Sequence, residues 1–258
     1  MHPARLVLFA LLTATALSAQ NADTQPDGFT ILQQMSDHYA KASDWYIQAT
    51  EEQTTTTDYS RQWAKTILIG AASGNRYHYE GRSEFGSALH ISDGKTAWDL
   101  RLNEHEYTQA PAPANGYQQP KGWPINDQTA QQAIYLKKKF AGFSKHYNSA
   151  TRLPDEVISL NGSEIPSYVV QVTQAQRKGQ QSAETSRDET LWIDKATWTV
   201  RKTVEHTNTF LFSGSAQVPL VEDTVTTYET AQLNSPVPET LFHFEPPPRC
   251  EADRKVQR

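Results

Sequence analysis

The residues of this sequence that could support catalysis do not occur at the spacings that catalysis requires. The segment Gly81–Gly86 places Ser83 between two glycines, as a nucleophile elbow does. Its second glycine comes one residue late, however, and predicted strands flank it where a hydrolase has a strand and then a helix. A hydrolase would also need a base and an orienting group beside the serine. A hydrolase is therefore the third and least favoured hypothesis.

Histidine and acidic residues likewise give no metal or cofactor signature. The 8 histidines are scattered, with no HExxH or comparable ligand spacing. Glu51 and Glu52 are neighbours on a predicted strand, so their carboxylates point to opposite faces and cannot share a proton. The sequence has no glycine-rich phosphate loop. We therefore predict a protein that is not an enzyme and that has no metal and no cofactor.

Length and composition favour one globular domain. A chain of 258 residues with 37% hydrophobic residues can bury roughly 70–75% of its unfolded surface without help from disulfides. Its single cysteine, Cys250, cannot form an intramolecular disulfide. The net charge of −5 gives no support for a nucleic-acid partner. A monomer is expected.

The first 19 residues predict a secretory signal peptide. Arg5 precedes an apolar run, Leu6–Leu12, which continues in small residues to Ala19. Cleavage is expected after Ala19 or Ala16, and an uncleaved membrane anchor is the alternative. No later apolar run is long enough to span a membrane. The prediction is an exported, periplasmic protein with a signal peptide at 1–19, one domain at 20–247 and a charged tail at 248–258.

Most of the domain reads as antiparallel strands joined by tight turns. Thr190–Lys202 alternates apolar and polar residues on both sides of a turn at Asp194–Thr197, which predicts a β-hairpin. Asp93-Gly94 and Asn161-Gly162 are similar turn signals. About six strands are predicted before residue 108 and ten or eleven in the whole chain.

Two helices and a long loop complete the predicted fold. Asp27 is a suitable N-cap for a helix over about 28–43, and Asp127 for a second helix that ends near Tyr147. The second helix has an aromatic side and a lysine-rich side, so it either packs on the sheet or lies on a membrane surface. Between the first group of strands and the second helix, residues 109–124 are predicted to form a loop rich in proline and glycine. The fold class is α+β, with a large antiparallel sheet.

Three short motifs resemble the LolA-type lipoprotein carriers. Ile91–Trp98 is similar to the SDGKTLW hairpin of these proteins, Leu241–Pro247 to their terminal FTFxPP strand, and Asp194–Trp198 to the hairpin between them. The resemblance extends from the first helix to Pro247. It implies an incomplete, half-open β-barrel whose concave face is covered by about two helices and a loop, and holds acyl chains or other apolar ligands.

The resemblance is incomplete at one functional position. Carriers have an arginine that helps to lock the lid, and Ala72 or Ser73 stands at the corresponding position here. Arg76 is nearby but displaced along the strand, so the role of that arginine is not transferred to it.

The predicted function is a non-enzymatic periplasmic carrier or chaperone. It would bind a lipid, or the acyl chain of a lipoprotein, and exchange it with an envelope membrane protein. The alternative is an envelope regulatory or scaffold protein that uses the same fold to bind another protein. The side chains predicted to line the cavity are Trp45, Ile47, Trp63, Ile67, Tyr77, Leu89, Trp98, Phe140, Phe143, Leu191, Ile193, Trp198 and Val200.

Overall fold

The computed structural model describes residues 25–101, 105–112, 140–143, 147–174, 186–213, 216–246, 248 and 250–252. It contains one described α-helix of several turns, α1 (Gly28–Lys41), and a short 3₁₀ turn, Glu239–Phe242. The strands are β1 (Trp45–Thr56), β2 (Ser60–Ala72), β3 (Arg76–Ser83), β4 (Gly86–Asp93), β5 (Thr96–Arg101), β6 (Glu106–Pro111), β7 (Ser149–Leu160), β8 (Ser163–Gln174), β9 (Ser186–Asp194), β10 (Val200–Ser213), β11 (Ala216–Leu233) and β12 (Glu251–Ala252).

All twelve described strands belong to one sheet. Their order is β12-β6-β5-β4-β3-β2-β1-β11-β10-β9-β8-β7, and every pairing is antiparallel except that of β12 with β6. The predicted large antiparallel sheet is therefore confirmed. Within the described residues its two ends do not pair with each other, which is consistent with a curled, incomplete barrel.

The predicted turns join the strands where glycine, asparagine and aspartate allow them. Gly94 has a φ of 94°, in the left-handed region that glycine adopts without strain. Asp93 accepts hydrogen bonds from the backbone N–H groups of Lys95 and Thr96 at 2.7 Å, which closes the turn. Asp194 stabilises the β9–β10 turn in the same way through Ala196 at 2.8 Å. These side-chain contacts explain why the sequence located the hairpins correctly.

Helix α1 forms because its ends are capped and one of its sides is apolar. The Asp27 carboxylate accepts a hydrogen bond of 2.7 Å from the backbone N–H of Thr30. Four residues on one side, Ile31, Leu32, Met35 and Tyr39, are almost completely buried against the sheet. The Tyr39 hydroxyl also accepts a hydrogen bond of 3.1 Å from the backbone N–H of Val200. The first predicted helix is thus confirmed.

Three other expectations need correction or lie outside the described residues. Residues 109–111, the start of the loop predicted at 109–124, belong to β6, and residues 113–124 lie outside the described residues. Most of the second predicted helix falls among residues that the structure does not describe, although Phe140 and Ala141 are helical. Residues 241–244 were predicted as a last strand, but Leu241 and Phe242 complete the 3₁₀ turn, and His243 and Phe244 follow it. Phe244 packs on Trp98 of the sheet.

We call residues 236–245 the outer strap, because they cross the face of the sheet opposite α1. Phe244 stacks on Trp98 with ring centroids 5.4 Å apart. His78 Nδ1 lies 2.8 Å from the carbonyl oxygen of Leu241, and Arg76 contacts both carboxylate oxygens of Glu239 at 2.6 and 2.8 Å. The two faces of the sheet are therefore covered by different parts of the chain.

β7 lies at one edge of the sheet and is irregular. A register shift occurs between Leu153 and Glu156, around Pro154 and Asp155. Proline removes a backbone donor, and the bulge twists the strand away from a straight ladder. Asp155 also contacts Arg152 and Lys195, at 2.8 and 2.6 Å. The exposed edge is therefore interrupted at its centre.

The close contact between α1 and β7 predicts that replacing Gly28 by alanine destabilises the protein, although alanine usually stabilises a helix. A Cβ added to Gly28 would lie 2.4 Å from the carbonyl oxygen of Ala150. Gly28→Ala should therefore lower the free energy of unfolding by about 1–3 kcal/mol through overpacking. Alanine would otherwise stabilise a helix by about 1 kcal/mol over glycine. Urea denaturation measures the difference.

Gln34→Ala provides the control for this variant, since Gln34 is an exposed position of the same helix. Its effect on the free energy of unfolding should be within about 0.5 kcal/mol of zero. A Gly28→Ala protein at least as stable as the wild type would contradict the packing described here.

Candidate ligand-binding site

Strand register determines which side chains share a face of the sheet. Residues paired directly across neighbouring strands lie on the same side, and the side alternates along each strand. Ile47 pairs with Ile69, and Ile69 pairs with Tyr79; all three belong to the hydrophobic cluster that contacts α1. We call this side the inner face and the opposite side the outer face.

Most of the predicted cavity residues meet on the inner face in one apolar cluster. Trp45 and Ile47 come from β1, Leu191 and Ile193 from β9, all at 2% exposure or less. Trp198 packs against this cluster from the β9–β10 turn, where its φ is 56° and its ring stacks on Tyr168. The predicted residues within the cluster are Trp45, Ile47, Ile67, Phe140, Phe143, Leu191, Ile193 and Val200.

Aromatic side chains fill the space between the sheet and α1. Phe140 lies 4.8 Å from Tyr39 of α1 and 5.9 Å from Tyr228 of β11, measured between ring centroids. Phe143 is 6.2 Å from Phe140 and 4.4 Å from Tyr147. We call Phe140, Phe143 and Tyr147 the aromatic cover. Phe140 and Phe143 are completely buried, so the apolar part of the inner face is filled.

Two predicted residues lie on the inner face but away from this cluster. Tyr77 pairs with Ala71 and Ser92, nearer the β6 end of the sheet. Trp63 pairs with Gln53 and contacts Phe85, with ring centroids 6.2 Å apart. Both aromatic rings are only partly buried.

Leu89 and Trp98 were predicted on the wrong face. Leu89 pairs with Glu80 and Leu100, and Trp98 pairs with Ile91, all on the outer face. Trp98 is covered by Phe244 of the outer strap. The alternation in the sequence was correct, but an alternating strand does not reveal which of its two sides faces the helix.

A polar band adjoins the apolar cluster on the inner face, and the sequence analysis did not find it. It begins where β1 continues past Ala49, with Glu51 and then Gln53 facing inward. The band contains six ionisable side chains, which are Glu51, Lys65, Arg187, Glu189, Glu205 and Glu222. The run Glu51–Thr55 was a signal for it, because all five residues are polar while the strand continues, so its inward positions are polar as well.

Contacts within the band connect neighbouring strands. Lys65 Nζ lies 3.8 Å from a carboxylate oxygen of Glu51, and the Lys65 side chain is only 6% exposed. Burial lowers the pKa of Lys65, while the Glu51 carboxylate opposes that shift. On the other side of the band, Arg187 pairs with Glu205, and the Gln53 amide donates a hydrogen bond of 3.1 Å to Glu222.

Tyr147 joins the aromatic cover to the band. Its hydroxyl donates a hydrogen bond of 2.6 Å to Glu189, which is completely buried. Burial, followed by the charge of Glu189, raises the pKa of the Tyr147 hydroxyl well above its ordinary value. The hydroxyl therefore stays protonated and remains a donor at neutral pH.

A second buried polar pair lies on the inner face toward the β6 end. His90 of β4 contacts Asp99 of β5 through Nδ1, and the two side chains are 1% and 7% exposed. The Tyr79 ring is 5.9 Å from the His90 ring. Ser92 lies two residues from His90 on the same face of β4, but its hydroxyl donates a hydrogen bond of 2.9 Å to the carbonyl oxygen of Asn75 and does not contact the histidine. This serine is therefore not oriented as a nucleophile toward the histidine.

The outer face has a cleft of about 430 Å³ beside the β7–β8 turn. Its lining includes Gln48, Thr66, Glu80 and Arg82, and the Asn161 amide closes one side by donating a hydrogen bond of 3.3 Å to the carbonyl of Glu229. Glu80 already contacts both His78 and Arg82. The lining also includes Ala49, Ile67 and Leu68, so the cleft is mixed in character, and its charged side chains are paired with each other.

No family model and no curated protein matches the chain. Solved structures do. LprF from Mycobacterium bovis matches with a TM-score of 0.44 and 12% identity, over 81% of this chain and 94% of that one. A LolA superfamily protein from Nitrosomonas europaea matches with a TM-score of 0.29 and 15% identity, over 85% of this chain and 99% of that one. A MucA/MucB complex from Pseudomonas aeruginosa matches with a TM-score of 0.39 and 10% identity, over 83% and 60%.

A LolA-type protein is thus among the matches. Because these TM-scores are below 0.5 and the identities are 15% or less, no ligand or partner is transferred from those proteins to this chain. In the part of the chain that the structure describes, no helix combines the length and apolar character needed to cross a bilayer.

The hydrogen bond between Tyr147 and Glu189 predicts a pH-dependent effect. Tyr147→Phe should lower the free energy of unfolding at pH 7 by about 1.5–3 kcal/mol, because a buried carboxylate loses a donor. A raised tyrosine pKa gives stability that is present below about pH 10 and is lost as the pH rises through the folded-state pKa. The variant should therefore lose stability less steeply above pH 10.

Tyr59→Phe is the matched control, since Tyr59 is 72% exposed. Its stability at pH 7 and its alkaline unfolding profile should equal those of the wild type. Urea denaturation at several pH values gives both quantities, and unchanged values for Tyr147→Phe would contradict the contact.

Proposed function

We propose that the chain is a non-enzymatic carrier that binds the acyl chain of a lipid or lipoprotein on the inner face of the sheet. The observation that supports this most directly is the apolar cluster beneath α1, which is covered by Phe140 and Phe143. This cluster joins strands from both halves of the sheet. It offers a continuous apolar surface to a hydrocarbon chain once the aromatic cover moves.

The energetics of such binding are favourable. Each methylene that leaves water gains roughly 0.8 kcal/mol, so a fourteen-carbon chain gains on the order of 10 kcal/mol before ordering costs. Part of that gain is offset, because the aromatic cover must first lose its own apolar contacts with the sheet and with α1. An affinity in the micromolar range remains within reach.

The aromatic cover is the element that would exchange with ligand. Its ring contacts with Tyr39 and Tyr228 are tilted or edge-on, and each such pair contributes about 0.5–1.5 kcal/mol beyond area burial. Helix α1 is attached through hydrogen bonds from Val200 to Tyr39 and from Arg152 to the carbonyl of Pro26. Within the described residues, the cover has the hydrogen bond from Tyr147 to Glu189, which lies at its edge, whereas Phe140 and Phe143 are held by apolar contacts. Exchange with ligand would therefore displace the two phenylalanine rings while α1 stays in place.

Export is part of the same proposal. A signal peptide at 1–19 and one domain at 20–247 would place the carrier in the periplasm, where it would exchange ligand with an envelope membrane protein. The sheet itself continues past residue 247, since residues 251–252 pair with β6. The tail at 248–258 therefore begins in contact with the sheet.

One observation favours the alternative of an envelope scaffold that binds another protein. Phe140 and Phe143 are completely buried, as members of a permanent core would be. In a scaffold the cover would never exchange, and binding would take place on outward surfaces. The two functions therefore differ in whether the wild-type protein takes up an acyl chain.

Uptake can be tested with uncharged ligands. N-phenyl-naphthylamine should gain fluorescence on binding to the wild type, and monomyristin should displace it with a dissociation constant on the order of 1 μM. Phe143→Leu should bind monomyristin about fivefold more tightly, because about 1 kcal/mol of ring contact no longer holds the cover closed.

Phe29→Leu serves as the control, since Phe29 is 44% exposed on α1 and should leave affinity unchanged. A diazirine analogue of monomyristin should label α1, β1 and residues 140–143. Absence of binding by the wild type, or labelling confined to the outer strap, would reject the carrier and favour the scaffold.

A further inference from the structure

We propose that the ligand is amphipathic and that its polar end carries an ammonium group beside an oxyanion or ester oxygen, held by the polar band. This inference rests on the proposed function, because it assigns the other end of the same ligand. The band lies directly beyond the apolar cluster on the same strands, so a chain buried in the cluster presents its end group to the band.

The order of residues along the strands gives this boundary. On β1 the inward residues change from Ile47 and Ala49 to Glu51 and Gln53. On β9 they change from Ile193 and Leu191 to Glu189 and then Arg187. A carrier for a plain hydrocarbon would gain nothing from polar residues here, since burying charges costs free energy.

The band has more carboxylates than cations. Four glutamates, at 51, 189, 205 and 222, face two cations, Lys65 and Arg187, which leaves a net charge of −2 for these six residues. Glu205 and Glu222 are half-buried and therefore reachable by a ligand, in contrast to the fully buried Glu189. The band thus favours an end group with positive charge and opposes an anionic one.

A donor in the band indicates that the end group also has an acceptor. Arg187 pairs with Glu205 through its terminal nitrogen, while its Nε is buried and has no hydrogen-bond partner in the described part of the chain. An unsatisfied buried donor costs free energy that an incoming oxygen would recover. Arg187 and Glu222 pair with Thr207 from opposite sides, so their backbones are roughly 10 Å apart.

Two sources supply an ammonium group beside such an oxygen. One is the headgroup of an aminophospholipid, with its phosphate. The other is the free amino terminus of an acylated polypeptide, with its neighbouring ester and carbonyl oxygens. The shared chemistry is what the band recognises, and the sources can be separated by experiment.

The test compares ligands with the same fourteen-carbon chain and different end groups. Myristoyl lysophosphatidylethanolamine should bind the wild type at least tenfold more tightly than myristoyl lysophosphatidylglycerol, with monomyristin between them. The preference should weaken as salt is raised, because half-buried charges are partly screened. Glu222→Gln should reduce the preference to about threefold or less.

Glu52→Gln is the matched control, because Glu52 is exposed on the outer face of β1, next to Glu51. It should keep the full preference. A dimyristoyl-glyceryl cysteine peptide with a free amino terminus, compared with its N-acetylated form, tests the polypeptide source. A free-amine preference larger than that for the lysophospholipid assigns the ligand to acylated polypeptides.

The outcomes separate the two proposals. If no ligand binds, including monomyristin, the carrier function is rejected and this inference falls with it. If all three myristoyl ligands bind equally, or if lysophosphatidylglycerol binds best, the carrier function stands and the inference is rejected. A preference unchanged in Glu222→Gln would also reject the assignment to the band.

Discussion

The fold depends on covering both faces of one large sheet with very few other elements. On the inner face, α1 and the aromatic cover bury the apolar cluster, and Tyr39 fixes the helix to the start of β10. On the outer face, the strap buries Trp98 and its neighbours. A sheet of this size left bare on either side would expose enough apolar surface to aggregate.

The inner face combines two surfaces with opposite requirements. Apolar side chains around Ile47 and Leu191 gain free energy by excluding water, whereas Glu51, Lys65 and Glu189 must keep hydrogen-bonding partners when buried. The boundary lies between Ala49 and Glu51, which are consecutive inward residues two positions apart on β1. Under the proposed function, such a boundary would orient an amphipathic ligand, because only one direction satisfies both of its ends. It also explains why Tyr147 has both an aromatic ring contact and a hydrogen bond to a carboxylate.

Local sequence signals predicted the hairpins and α1, because a turn or a helix cap is decided within a few residues. Asp93-Gly94 and Asp194–Thr197 form the turns that their side chains suggest. The face of Leu89 and Trp98 could not be predicted, since it depends on strand pairings far along the chain. Trp198 was expected to resume a strand, but adopts a left-handed turn conformation that its stacking on Tyr168 supports. The β1 part of the polar band was visible as the polar run Glu51–Thr55, but its partners on β9 and β10 come from distant sequence.

The pairing of β1 with β11 has a consequence for how the chain reaches its folded state. Trp45 pairs with Leu233, so the centre of the sheet joins the beginning of the domain to its end. Contacts between such distant residues slow folding, because a long loop must close before any of them can form. Until β11 arrives, β1 has an open edge and half of the inner face lacks its neighbour. The centre of the sheet can therefore form only after β11 has been synthesised, near the end of the domain.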